Sequence, residues 1–202
     1  NGVIAPGSST VDFGSDNHFT VTADVGYHIV DVLVDGVSKG AVASWDFDNV
    51  VASHTIAASF AINDYTIASS AGLGGSISPS GSVKVNYGAD QAFTIAADTG
   101  YVIVDVLVDG GSVGAVSSYT FTNVIAAHSI SVAFTQIEYT LTVNNVGSGS
   151  VVRSPDNLHY HYNDMVSLSA VPGTGYVFTG WSGDLSGTTN PTSITIDGNK
   201  AV

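Results

Sequence analysis

The chain repeats itself with a displacement of 74 residues. Residues 26–60 then align with residues 100–134, and 22 of the 35 aligned pairs are identical. A third, more divergent copy begins at Tyr139. Self-similarity at a fixed period is typical of chains that fold as rows of small, similar units. We therefore predict three modules, named here module 1 (residues 1–63), module 2 (64–137) and module 3 (138–202).

Within each module, apolar and polar residues alternate, which is typical of strands with one buried face. Glu, Lys, Arg and Met, which favour helices, are scarce, whereas Gly occurs 23 times and marks turns such as Asp109-Gly110. The sequence predicts an all-β fold of three tandem modules in an elongated array, without helices. The run 101–108 is apolar on both faces apart from Asp105, and this predicts a central strand covered on each side.

Charge excludes several classes of function. The 17 acidic and 4 basic residues give a formal net charge of −13, and nucleic-acid binding requires clustered cations, so no nucleic acid is expected as a partner. Asp interrupts the longest apolar runs, so no membrane insertion is expected. The absence of Cys removes disulfides and thiolate chemistry. An Asp-rich, Lys-poor surface favours an extracellular protein.

The predicted linkers are very short. Residues 62–65 and 137–139 leave almost no chain between the last strand of one module and the first strand of the next. We therefore expect a stiff array, in which three modules of roughly 25–30 Å would reach about 80–90 Å.

Several motifs carry a resemblance to a known family. They are Gly75-Ser76-Ile77-Ser78-Pro79, Gly100-Tyr101, the predicted strands at 119–123 and 128–134, and in module 3 Gly149-Ser150-Val151, Gly175-Tyr176-Val177-Phe178, Gly180-Trp181-Ser182-Gly183-Asp184 and Asp197-Gly198-Asn199-Lys200. Together they resemble the divergent internalin B-repeat family, also called bacterial repeat domains, over nearly the whole chain.

The resemblance implies a small β-grasp-like β-fold, found in tandem in large secreted or cell-surface proteins of bacteria and archaea. Such repeats usually act as spacers or adhesion modules, and the family has no catalytic residues to transfer. Two departures from the pattern stand out. Module 1 has no counterpart of the strand that opens at Tyr65 and Tyr139, and module 3 has no counterpart of the end of the last strand, at Phe134.

Four residues are candidate metal ligands. His159 and His161 flank one residue of a predicted strand, so their side chains would share a face and could bind one metal ion. Asp64 and Glu138 lie at the predicted module junctions, where a carboxylate could bind calcium. The alternative is that the histidines are exposed polar positions on an edge strand. No cofactor is expected, and calcium remains the one alternative.

Three aromatic residues are candidate ligand contacts. Trp45, Tyr160 and Trp181 lie on predicted strands, where an exposed ring could stack on a sugar. The alternative is a role in the core, because Trp181 aligns with Val106. The nearby Tyr162 aligns with Tyr87 and Phe13, which predicts one core aromatic in each module.

The sequence therefore predicts a non-catalytic, extracellular repeat array that acts as a rigid spacer or adhesion stalk of a prokaryotic cell-surface or secreted protein. Two alternatives remain open. One is a filament subunit that assembles by strand addition at its open ends, and the other is a glycan- or protein-binding accessory module. The expected partners are other surface proteins, glycans or copies of the chain itself.

Overall fold

A computed structural model describes all residues from 1 to 202 and contains nineteen strands and no helix. The strands are β1 (Gly2–Ala5), β2 (Asn17–Ala23), β3 (Tyr27–Val34), β4 (Val37–Ser38), β5 (Ser44–Phe47), β6 (Ile56–Ile62), β7 (Asp64–Ala71), β8 (Gly75–Ser78), β9 (Gly81–Asn86), β10 (Gln91–Ala97), β11 (Tyr101–Val108), β12 (Gly111–Ser112), β13 (Ser118–Phe121), β14 (His128–Gln136), β15 (Leu141–Thr142), β16 (Gly149–Ser154), β17 (Met165–Pro172), β18 (Thr192–Thr195) and β19 (Lys200–Ala201). The predicted all-β fold is confirmed.

Module 1 consists of two three-stranded antiparallel sheets, with strand orders β1-β2-β5 and β4-β3-β6. Alternate residues of β2 and β3 point inward, and Val21, Val32 and Val34 form a buried cluster. Phe47, Ile56 and other half-buried apolar side chains close this core.

Module 2 contains the same kind of three-stranded sheet, in the order β13-β10-β8, and a larger sheet in the order β12-β11-β14-β7-β9. The larger sheet has two strands, β7 and β9, that have no counterpart in module 1. These two pair antiparallel with each other from Asp64↔Asn86 to Ser69↔Gly81.

Module 3 keeps the three-stranded antiparallel sheet, β16-β17-β18, and its core contains Tyr160, Val166, Leu168 and Ile196. Its second sheet is only the parallel pair β15-β19. Residues 176–180, the counterpart of the start of β11, form no strand.

Backbone proximity divides the chain into two compact units. The first contains Asn1–Ser69, Pro79–Phe93 and Ser118–Ser129, and the second contains Ser70–Ser78, Thr94–Ser117 and Ile130–Val202. Module 1 therefore lies within the first unit and module 3 within the second, while module 2 contributes to both.

The hairpin that follows β3 shows why the Asp-Gly pairs recur. Asp35 and Gly36 both have positive φ, 51° and 78°, which a two-residue turn between Val34 and Val37 requires. The carboxylate of Asp31 accepts hydrogen bonds from Ser38 Oγ (2.7 Å) and Gly40 N (3.0 Å), and Asp105 does the same in module 2. These Asp residues therefore fix the hairpin as well as adding surface charge.

One expectation about β11 is wrong. The strand is not covered on both faces, because Val102 and Val104 are 44% and 51% exposed. It lies second from the edge of its sheet, between β12 and β14, and only its other face meets the core. No helical segment with the length and apolarity needed to cross a bilayer is present.

Candidate functional site

The junction between modules 1 and 2 is built on a glycine. Gly26 has φ +83°, and the ring of Tyr87 lies so close that a Cβ added at Gly26 would overlap it. Hydrogen bonds link the same elements: Asn63 N donates to Gly26 O, and Tyr87 N donates to Asn63 O, each at 2.8 Å. His28 Nδ1 lies 2.8 Å from Asn63 Oδ1. The linker residue Asn63 is therefore bonded to the modules on both sides of it.

The junction between modules 2 and 3 repeats this arrangement. Gly100 has φ +84°, and an added Cβ would overlap the side chain of Tyr162. The linker residue Ile137 donates its N–H to Gly100 O at 2.8 Å, as Asn63 does to Gly26. Both junctions therefore require glycine for its backbone conformation and for the close approach of the next module's aromatic ring.

Phe13 occupies the same place in module 1. The residue after each aromatic donates its N–H to an equivalent carbonyl: Gly14 to Val50, Gly88 to Val124, and Asn163 to Ile196. Phe13 is nevertheless 85% exposed, so the expectation of a core aromatic in every module is wrong for this residue. The aromatic is covered only where the Gly-Tyr turn of a preceding module lies against it.

The matching glycine of module 3 is also uncovered. Gly175 has φ +79°, like Gly26 and Gly100, but no atom lies within 4 Å of an added Cβ. The neighbouring Tyr176 and Val177 are 58% and 81% exposed.

An open groove of about 460 Å³ adjoins this turn in module 3. Its walls include Val146, Gly149, Tyr176, Phe178, Trp181 and Val202, and none of its lining side chains is charged. A second groove, of about 480 Å³, lies in module 1 beside Phe13, Phe47 and His54.

Trp181 forms part of the wall of the module 3 groove. Its ring centroid is 4.9 Å from that of Phe178, and its Nε1 donates a hydrogen bond to Thr189 O at 2.9 Å. The side chain is half-buried and packs against the core of module 3. It therefore has both the core contact and the accessible face that the sequence offered as alternatives.

The other two aromatic candidates differ from Trp181. Tyr160 is fully buried, and its hydroxyl donates to Pro155 O at 2.9 Å and accepts from Asn157 N at 3.1 Å, so the expectation that it lies on an exposed face is wrong. Trp45 is half-buried among the core residues of module 1, and Lys39 Nζ lies 5.0 Å from the centroid of its ring.

The candidate metal ligands are distributed over separate ion pairs. Asp64 Oδ2 lies 3.1 Å from Lys84 Nζ. Glu138 Oε2 lies 3.8 Å from His159 Nδ1, and His161 Nδ1 lies 3.9 Å from Asp164 Oδ2. The expected strand at 159–161 is absent, because only Tyr160 forms an isolated bridge, to Tyr139. No group of three or more His, Asp or Glu residues is arranged to hold a metal ion.

Two ion pairs shift pKa values. The hydrogen bond from His54, with Nδ1 2.7 Å from Asp35 Oδ2, lowers the pKa of the Asp35 carboxyl, and the N–H of Thr55 adds to this effect. In module 3, the hydrogen bond with Lys200 lowers the pKa of Asp197, and the same contact raises the pKa of Lys200. Each pair lies at the start of the last strand of its module, β6 in module 1 and β19 in module 3.

The sequence alone did not identify the junction contacts. Tyr87 and Tyr162 were expected to be core residues of their own modules, and the structure shows that each also covers a glycine of the preceding module. The signal available in the sequence was that a Gly-Tyr pair and an aromatic residue followed by Gly or Asn both recur at the module period.

The fold and its junctions define a tandem all-β repeat protein. The sequence profile of the divergent InlB B-repeat domain family matches residues 65–138 and 139–202. Since these matches cover more than half of the 202 residues, the chain belongs to this family, and the resemblance predicted from its motifs is confirmed over these two ranges. No curated protein and no solved structure matches the chain. Membership identifies it as a repeat module of the kind found in bacterial surface proteins.

Proposed function

We propose that this chain is a non-catalytic, extracellular spacer or adhesion stalk within a bacterial cell-surface or secreted protein. One observation carries the proposal: the same aromatic-over-glycine contact, with the same linker hydrogen bond, occurs at both module junctions. A spacer transmits position and force only if neighbouring modules do not swing freely, and packed junctions restrict such motion. Family membership supports the surface location.

The charge distribution fits the same role. Sixteen of the 17 acidic residues are Asp, and the net charge of −13 keeps such a surface soluble through self-repulsion. Repulsion between like-charged copies also opposes lateral association, which suits a stalk that presents another region of its protein at a distance.

Small-angle scattering with light scattering over a concentration series tests this proposal. We expect the mass of a single chain at every concentration and a maximum dimension of about 80–90 Å, the length of three compact modules in a row. A maximum dimension well below this range would contradict a spacer. Growth into long particles with a constant cross-section would instead support the filament alternative.

A further inference from the structure

The first and last strands of module 2 lie side by side. β7 begins at Asp64, directly after the linker residue Asn63, and β14 ends at Gln136, directly before Ile137. The two strands are hydrogen-bonded neighbours within the five-stranded sheet. Any tension along the chain therefore enters module 2 through β7 and leaves it through β14.

Both strands finish at the same place in the module. The ring of Tyr101 lies so close to Gly74, just after the end of β7, that a Cβ added at Gly74 would overlap it. Tyr101 also pairs with Gln136, the last residue of β14. Beside them, Gly72 N donates to Val132 O at 2.9 Å. Neighbouring strands that end side by side run in the same direction, so β7 and β14 are parallel, as their counterparts β15 and β19 are in module 3.

This parallel pairing sets the direction in which tension acts on the hydrogen bonds. Tension pulls β7 toward its first residue and β14 toward its last, so the two strands are pulled past each other along their common axis. Hydrogen bonds between parallel strands are evenly spaced along that axis, so they share the load and must break together. If the same strands were pulled apart from one end, the bonds would break one after another.

The rest of module 2 holds both strands against sliding. On its other side β7 pairs with β9, and β14 pairs with β11. Ile67 of β7 and Ile130 and Val132 of β14 are at most 5% exposed. Side chains alternate between the two faces of a sheet, so a slip of one residue would move such a side chain out of the core. Core packing therefore opposes the same movement as the hydrogen bonds.

We propose that module 2 is a shear clamp, meaning a fold that bears tension along the chain through the parallel pair β7 and β14. Its function is mechanical, because it keeps the module folded while the protein that contains it is under tension. The proposal rests on the stalk function for its use, whereas the clamp itself is a property of module 2. Scattering tests the length and mass of the stalk and pulling tests the clamp, so the two can fail separately.

Single-molecule pulling on the full chain tests the clamp. The chain has no Cys, so pulling handles attach only at introduced cysteines, which are placed at exposed positions. The pair Asp64→Cys and Gln136→Cys loads β7 and β14 in shear. The matched pair Leu73→Cys and Gln136→Cys loads the same strands from one end, because Leu73 lies next to Gly74. Unfolding of module 2 is recognised in both pairs by a length gain of about 200–240 Å.

The two pairs should differ in unfolding force and in nothing else. At equal loading rates we expect the shear pair to unfold at a force at least about twofold higher, since forced unfolding is governed by the unfolding barrier. Urea unfolding without force should give both variants the same stability. Equal forces, or a lower force for the shear pair, would overturn the proposal. If Gln136→Cys disturbs β14, the exposed Glu138→Cys replaces it in both pairs, with the same expected and contrary results.

Discussion

Modules 1 and 3 each contain only part of the sheet that module 2 builds from five strands, but the consequences differ. Module 1 has no counterpart of β7, yet β3 and β6 pair along their whole length, from Tyr27↔Ile62 to Val34↔Ile56. Module 3 has β15 but only two residues of the last strand, and there the counterpart of β11 is irregular. The segment that follows the Gly-Tyr turn is therefore a regular strand in module 1 and irregular in module 3.

In each of these modules one segment forms no strand where the paired strand of module 2 is absent or short. In module 2, β9 pairs with β7, and the equivalent residues 7–12 of module 1 form no strand. Likewise β11 pairs with β14, and residues 176–180 of module 3 form no strand. For these two segments, strand formation accompanies pairing with a neighbouring strand.

Removing the phenylalanine of the last strand in module 1 should make that module resemble module 3. Phe60→Ala leaves the space above Gly2 empty, and because the ring is half-buried we expect a loss of about 2–3 kcal/mol of unfolding free energy, at or below the low end for a core phenylalanine. Urea unfolding followed by Trp45 fluorescence measures this loss in module 1. An effect below about 1 kcal/mol would show that the ring over the glycine does not hold the last strand.

A pair of variants tests whether junction contacts stabilise the modules. Tyr87→Ala removes the ring over Gly26, and we expect a loss of about 2 kcal/mol because the side chain is half-buried. Phe13→Ala changes the equivalent but uncovered position, and we expect less than about 0.5 kcal/mol. Thermal and urea unfolding of both variants gives the comparison. Equal effects would mean that the junction adds nothing.

Two glycines separate backbone strain from close contact. Gly100→Ala and Gly175→Ala both place a side chain at φ near +80°, which costs about 1 kcal/mol each. Only at Gly100 does the new Cβ also overlap Tyr162, so that variant should be less stable by a further 1–2 kcal/mol or so. Unfolding free energies measured under the same conditions give the difference. Identical losses of unfolding free energy in the two variants would mean that the overlap with Tyr162 adds nothing to the backbone strain.

The smallest expected effect is a difference in pH dependence. The lowered pKa of Asp35 means that its stabilising contribution is present above its ordinary value of 3.8 and is lost as pH falls through the folded-state pKa. Asp197 behaves in the same way, while the raised pKa of Lys200 adds a contribution that is lost as pH rises above 10.5.

Asp35→Asn should therefore reduce the fall in unfolding free energy of module 1 at acid pH. Asp197→Asn should reduce the fall for module 3 at both acid pH (the acid limb) and alkaline pH (the alkaline limb). Unfolding midpoints across pH, followed by Trp45 fluorescence for module 1 and Trp181 fluorescence for module 3, measure these slopes. An Asp197→Asn chain that kept the alkaline limb would contradict the assignment of that limb to the Lys200 pair.

Much of the fold could be predicted from the sequence, because its signals are local or periodic. Alternation in 82–87, the Asp-Gly turns and the scarcity of helix formers together predict an all-β chain.

The features that the sequence did not predict depend on neighbouring segments. Residues 101–108 are apolar enough for burial on both faces, but their place in the sheet leaves one face exposed. Phe13 and Tyr87 align in sequence, and only the Gly-Tyr turn of a preceding module distinguishes an exposed ring from a covered one. Tyr160 lies within a polar segment, yet its hydroxyl finds two backbone partners that permit its burial.

The most direct test of the spacer proposal is ¹⁵N relaxation of the backbone amides across all three modules. If both junctions are held by their aromatic-over-glycine contacts, amides in the strands of every module should fit one common rotational diffusion tensor. Tyr87→Ala should then let module 1 tumble faster than modules 2 and 3. Separate, shorter correlation times for the modules in the unmodified chain would contradict a spacer with fixed junctions.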